Sequence, residues 1–290
     1  METDLDSRLD AELSGLDALE LALPVRRSRV AQLWSHTWPK LLATGLFFAV
    51  WQLVAWSNWK PDYVLPDPAT VFTTLGSDFG DILDAAGTTM IRAVEGYSLA
   101  VLIGGLVGAF VARNRVLRAG IGSMITGLQT MPSIAWFPLA ILLFKGTNGA
   151  IFFVVVLGAA PAIANGLING IDNIPPLLLR ASRVLGARGL ASFRYVILPA
   201  SLPSFIGGLK QGWAFAWRSL LAGELLVQIA GTTSLGFRLD TERSLADSDG
   251  VIAVMMVIFI IGVLVDAVFF GKAERAIRRR YGLLEESTLT

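Results

Sequence analysis

Apolar and polar positions along this chain alternate in long blocks. Six apolar blocks, at 40–57, 90–112, 119–144, 150–170, 204–228 and 250–270, approach or exceed the length that crosses a hydrocarbon core of about 30 Å. Each predicts a membrane-spanning helix, so the expected fold class is all-α, a polytopic membrane protein with about six transmembrane helices. Glycine and proline recur inside the blocks: Gly104, Gly105 and Gly108 in the second, Pro132 and Pro138 in the third, Gly158 and Pro161 in the fourth. Helices that pack closely in lipid, or that break around a pathway, tolerate such residues.

The polar connections divide the chain into an N-terminal segment, 1–39, a membrane domain, 40–270, and a basic tail, 271–290. The N-terminal segment is acidic at Glu2, Asp4, Asp6, Asp10 and Glu12, the reverse of a cleavable signal peptide. Its Leu5, Leu9, Leu13 and Leu16 fall near helical spacing, so an amphipathic helix and an acidic disordered tail are both open readings. The longest connection inside the membrane domain is 171–203, which reads LLLRASRVLGARGLASFRYVILPASLP over 177–203. A short helix over 176–185 is expected to end near Gly186, with Pro199 and Pro203 breaking the chain before the fifth span. Small residues at Ala181, Ser182 and Gly186 leave one face flat enough to enter a groove. An ordinary amphipathic loop is the alternative.

Composition agrees with a bilayer protein: 54% of residues are hydrophobic and 16% charged, where a soluble domain carries about 25% charged residues. There is no cysteine, which excludes disulfides and thiolate metal sites. The single histidine, His36, sits between Trp34 and Trp38 and suits a membrane interface; no second histidine exists to share a metal. No G-x-x-x-x-G-K-[ST] phosphate loop and no G-x-S-x-G elbow is present, so neither ATP binding of the usual kind nor serine hydrolase chemistry is expected. No catalytic residue is assigned.

The net charge of +1 conceals a strong asymmetry. With a cytoplasmic amino terminus, seventeen Lys and Arg residues fall on the cytoplasmic side, in clusters at 8–40, 113–118, 180–194 and 272–280. Only Lys60, Lys145, Arg238 and Arg243 fall on the other. The positive-inside rule then places both termini and the 171–203 loop in the cytoplasm. The basic residues signal topology and not nucleic acid, because no soluble basic domain is long enough to bind it.

The order of features from 64 to 282 resembles the permease subunits of type I ATP-binding-cassette importers, in particular the nitrate, sulfonate and taurine branch. The landmarks are Leu65-Pro66-Asp67-Pro68, the Arg113 to Arg118 cluster, Met131-Pro132-Ser133-Ile134-Ala135-Trp136, Pro161, Ala222-Gly223-Glu224-Leu225 and Ser234-Leu235-Gly236. The 171–203 loop is similar to that family's EAA loop, Glu-Ala-Ala, three residues, Gly, then Ile-x-Leu-Pro. Arg180 stands where the family has Glu, and Ser182 replaces the second Ala, so a carboxylate salt bridge does not carry over.

The resemblance implies the type I ABC importer permease fold, a homodimer in the inner (cytoplasmic) membrane, two cytoplasmic ATPase subunits and an extracytoplasmic solute-binding protein. ATP and Mg would bind the partner ATPases, and no cofactor this chain. It implies ATPase coupling through Arg180, Ala181, Ser182, Arg183, Gly186, Ala187, Leu198 and Pro199. A translocation path would involve Pro132, Trp136, Lys210, Arg218 and Glu224. Lys210 and Arg218 fall within about 80° of each other on a helix, a stripe that would favour an anionic solute such as a sulfonate. Hydrogen bonding to a neighbouring helix, or snorkelling, is the alternative for each. A secondary transporter driven by an ion gradient is the runner-up function, but no half-to-half repeat is evident.

Overall fold

The structure is a computed structural model and describes residues 29–281. The acidic N-terminal stretch up to residue 28, the side chain of His36 and the tail beyond residue 281 lie outside the described residues. Every regular element among the described residues is helical. Packing divides the chain into two units, Met1–Val50 with Leu284–Thr290, and Trp51–Leu283. The described part of the first is the leading portion of α1 (Arg29–Trp56), whose Leu41, Leu42, Leu46 and Phe47 are exposed.

The second unit contains α2 (Pro68–Ser77), α3 (Phe79–Arg113), α4 (Arg115–Thr130), α5 (Phe137–Phe144), α6 (Asn148–Asp172), α7 (Pro176–Val184), α8 (Leu198–Leu226), α9 (Leu235–Ser244), α10 (Ser248–Leu264) and α11 (Gly271–Arg280). Side-chain caps mark several starts. Asp67 accepts from the Thr70 amide, Asn114 from the amides of Val116 and Leu117, Ser234 from that of Phe237, and Asp247 from those of Asp249 and Gly250. The short helices α2 and α9 lie in connections where the apolar pattern gave no sign of them.

Helix α6 is the centre of this unit. Its Ile151, Val154, Val155 and Ile163 share a core with Phe137, Trp213, Trp217 and Leu220. Glycines set the spacing on both sides. A Cβ on Gly166 would lie 2.4 Å from the Gly208 Cα of α8, and one on Gly104 of α3 would lie 2.6 Å from the Ala160 carbonyl oxygen. Lipid gives apolar helices no hydrophobic reason to associate, so close van der Waals contact between backbones has to hold them.

The prolines behave in two ways. The third apolar block, 119–144, expected as one span with Pro132 and Pro138 inside it, is broken: α4 and the segment Ser133–Phe144 meet at 100°. Pro132 lacks a donor and biases Met131 to an extended conformation, φ −77° and ψ 131°, which ends α4. A short 3₁₀ turn, Ser133–Trp136, then leads into α5. Among the described residues, five helices are long and apolar enough to cross a membrane, or six if this bent pair is one span. Pro199 and Pro203, in contrast, do not break the chain. Helix continues over Leu190–Leu226, because a π turn at Phe193–Ile197 shifts the ladder, the Leu198 amide reaching back to the Phe193 carbonyl.

The glycine seam predicts a contrast between Gly208 and Gly105, whose Cβ would meet nothing within 4 Å. Gly208→Val should lower stability by about 1–3 kcal/mol or more, and Gly105→Val should change it little. Thermal unfolding of the two purified variants in detergent checks this; equal midpoints would dismiss the seam.

Candidate functional site

The polar 171–203 segment folds into a helix with a defined stop. Pro176 opens α7 at a position where its missing amide costs nothing. At the other end Gly186 adopts φ +83°, its amide donates to the Arg183 carbonyl at 3.1 Å, and the Ala187 amide donates to the Ser182 carbonyl at 2.9 Å. These paired bonds form a Schellman turn, which requires the left-handed conformation that glycine adopts without strain. Gly186 is therefore needed first for its backbone.

The expected flat face is only partly present. Ala181 and Gly186 are exposed, but Ser182 is buried and donates to the Leu179 carbonyl at 3.0 Å. The outward surface is instead a ridge of Leu177, Val184, Leu185 and Leu190, interleaved with Arg180, Arg183 and Arg188. Arg180 has no carboxylate partner among the described residues. Ala187 is half-buried after the turn, and Leu198 and Pro199 lie further on, where the π turn enters α8.

The charged residues of α8 occupy three different environments. Glu224 is buried and fully engaged. Its Oε1 accepts from Arg92 Nη1 at 3.1 Å, and its Oε2 accepts from Thr89 Oγ1 at 2.9 Å and from the Gly236 amide at 3.1 Å. Arg92 also donates to Thr232 Oγ1 at 2.8 Å, and Thr89 Oγ1 accepts the Leu235 amide at 2.9 Å. One carboxylate thus fastens α3, the end of α8 and the start of α9, in a place with room only for Gly236, where a Cβ would lie 2.4 Å from that of Glu224.

Lys210 pairs at 3.2 Å with Asp266, which lies in the π turn Val265–Phe270 that follows α10. Arg218 is exposed, its guanidinium 5.5 Å from the Phe215 ring centroid, with no carboxylate partner among the described residues. The structure therefore does not join Lys210 and Arg218 into a stripe of free positive charge.

Pro132 is exposed at the break between α4 and α5, while Trp136 packs partly buried on the main core. Beside the break, the Ser219 hydroxyl is buried without a partner and would lie 2.7 Å from a Cβ on Gly158. Sequence reasoning missed Arg92, Thr89 and Thr232. The available signal was Arg92 itself, a buried charge in an apolar span that demands an opposite charge. No cluster of three His, Cys, Asp or Glu that could hold a metal occurs among the described residues.

A multi-pass helical bundle with a glycine-packed centre, a proline-broken span and a structured polar loop before its longest span defines a polytopic α-helical membrane protein. The chain belongs to the family described as the binding-protein-dependent transport system inner membrane component, whose model matches residues 79–279. It is an ABC importer permease subunit of the nitrate and sulfonate branch, a multi-pass protein of the inner membrane.

Similar proteins include the nitrate import permease NrtB of Synechococcus elongatus, 28% identical over 65% of this chain and 71% of that protein. The bicarbonate transport system permease CmpB of the same species is 28% identical over 76% and 82%. A protein named for aliphatic sulfonates transport, SsuC of Escherichia coli, is 29% identical over 79% and 86%. Among solved structures, an amino acid ABC transporter matches at TM-score 0.57 and 17% identity over 71% of this chain and 98% of that one. The inward-facing MetNI methionine transporter matches at TM-score 0.55 and 21% identity over 65% and 92%. These two support the fold alone.

The Glu224 network predicts strong coupling in a double-mutant cycle. Glu224→Ala should cost about 3–5 kcal/mol, because it strands the Arg92 charge in a dry site. Glu224→Leu combined with Arg92→Met should cost well under the sum of the two single changes. Unfolding in detergent measures the cycle, and additive losses would refute the coupling.

Proposed function

We propose that this chain works as a homodimer in an ATP-driven importer of a small anion. Two cytoplasmic ATPase subunits grip the 176–200 segment and carry ATP and Mg, a solute-binding protein delivers the anion from outside, and both termini are cytoplasmic. The carrying observation is the exposed Leu and Val ridge of α7, set among arginines and closed by the Gly186 turn. An apolar patch of this kind on a polar connection marks a protein contact. The coupling residues are Arg180, Ala181, Arg183, Gly186 and Ala187, with Ser182 acting from inside, as a positioning residue. Leu198 and Pro199 carry the motion into α8.

The mechanism needs no covalent step. ATP favours the state in which the ATPases close; the ridge moves with them, and the unbroken helix over Leu190–Leu226 carries that displacement to the Glu224 end. The helix is about 55 Å long at 1.5 Å per residue, longer than the hydrocarbon is thick. Glu224 then serves as a fastening of the pathway's outer end, and Lys210 is held by Asp266. Arg218 remains to meet the solute near the break at Pro132 and Trp136. The anionic reading is supported by that unpaired guanidinium and by relatives named for nitrate, bicarbonate and sulfonates. Which of these anions is carried stays with the binding protein's ligand.

Docking is tested by two changes at one position. Gly186→Asn keeps the left-handed turn and should retain most transport, whereas Gly186→Glu adds a bulky charge and should abolish ATPase co-purification or transport-coupled hydrolysis. Normal transport by Gly186→Glu at normal expression would remove the docking hypothesis.

Arg218→Gln should slow anion transport in proteoliposomes while leaving dimer assembly and binding-protein-stimulated ATPase activity nearly intact. Parallel loss of assembly would mark Arg218 as a packing residue instead.

A further inference from the structure

The last helical stretch, Ser248–Arg280, has 33 residues. At 1.5 Å per residue it is about 50 Å long, some 20 Å more than the hydrocarbon core. The apolar run ends at Phe270, so α11, with the sequence GKAERAIRRR, stands among the phosphates of the adjoining leaflet. It carries five basic side chains and one carboxylate. Glu274 is taken by Arg278 at 2.9 Å, and Arg275 donates its Nε to the Gly271 carbonyl at 2.9 Å. Lys272, Arg275, Arg279 and Arg280 are exposed without carboxylate partners among the described residues.

Beside this basic surface runs a crevice of about 300 Å³ between α11 and the start of α8. Its apolar walls are Pro203, Ile206 and Ile277, and its polar edge is the Glu274 and Arg278 pair. Arg278 lines the crevice, and Arg275, three residues earlier and about 60° around the helix, lies outside the lining on the neighbouring turn. An apolar slot edged by the Glu274–Arg278 pair and adjoined by basic side chains without carboxylate partners among the described residues suits a molecule that is apolar below and anionic above. Basic side chains near an anionic surface are drawn to it electrostatically, and arginine adds bidentate contact to phosphate oxygens.

We propose that this crevice binds an anionic phospholipid, its phosphate on Arg275 and Arg278 and an acyl chain against Ile206 and Ile277. The occupant would brace Pro203, four residues beyond Pro199, and so stiffen the entry to α8. The binding itself rests on no step of the transport reading, and its test uses the permease alone.

The purified full chain is reconstituted in nanodiscs of phosphatidylcholine with increasing phosphatidylglycerol, and lipids retained after detergent extraction are counted by native mass spectrometry. The wild type should retain phosphatidylglycerol at least about fivefold over phosphatidylcholine, a ratio equivalent to roughly 1 kcal/mol, and its melting midpoint should rise with phosphatidylglycerol content. Arg275→Gln with Arg278→Gln should abolish the preference. Ile277→Trp, which fills the slot at constant charge, should also reduce it. Equal retention of the two lipids by the wild type, or an unchanged preference in the arginine variant, would overturn the proposal. So would a midpoint shift reproduced in detergent by inorganic phosphate alone, which would assign a small-anion site without a lipid.

Discussion

The backbone contact between α6 and α8 is the constraint on which the other features depend. Gly166 and Gly208 face each other where a single methyl group would collide with a backbone carbon, and Gly170 abuts Ser201 in the same way, a Cβ there lying 2.6 Å from the Ser201 carbonyl oxygen. Such contacts substitute for the solvent-driven burial that lipid does not provide. They bring α8 close enough to share Ile163, Trp213 and Leu220 in one core, and they fix the helix that joins the 176–200 segment to Glu224.

Charge inside the spans follows from the same arrangement. Glu224 can be buried because α3 delivers Arg92 and Thr89 to it and the chain turns back to add the Gly236 amide. A buried pair of this kind is weak as a source of stability, since desolvation offsets much of its attraction, but losing one member is costly. It therefore sets geometry. Lys210 and Asp266 are nearer the opposite end of α8 and only half buried, so they restrain α8 against the final helix less severely.

Much of this was legible in the sequence, and the failures have physical causes. Hydrophobic blocks reveal the part of a helix that meets lipid, so the second span read as 90–112 although α3 begins at Phe79. Pro132 read as either packed within a span or breaking it around a pathway; it breaks one, because both the missing donor and the restricted Met131 act at the same point. Pro199 and Pro203 read as breakers and do not break: Pro199 falls in the first turn after the π turn, where a missing amide is tolerated, and Pro203 lies within the helix. Gly186 was found by spacing, but its positive φ gives it a different reason from smallness. The partner of Glu224 lies 132 residues away, and periodicity along one helix carries no information about such a pair.

The tightness of the seam also limits how this unit can move. Turning α8 against α6 would drive Gly166 into Gly208 and Ile163 into the backbone of Gly212, where a Cβ would meet the isoleucine at 2.6 Å. Packed interfaces of this density switch between discrete arrangements and do not deform gradually. A displacement of the 176–200 segment should therefore carry α6 and α8 as one body. The compliance must lie at less crowded joints, and the sharpest is the 100° break between α4 and Ser133–Phe144. That break adjoins Ser219, whose buried hydroxyl lacks a partner. A polar group left unpaired beside the break has no hydrogen bond to lose if the break changes angle, so a change there would leave the α6–α8 pair intact as a unit.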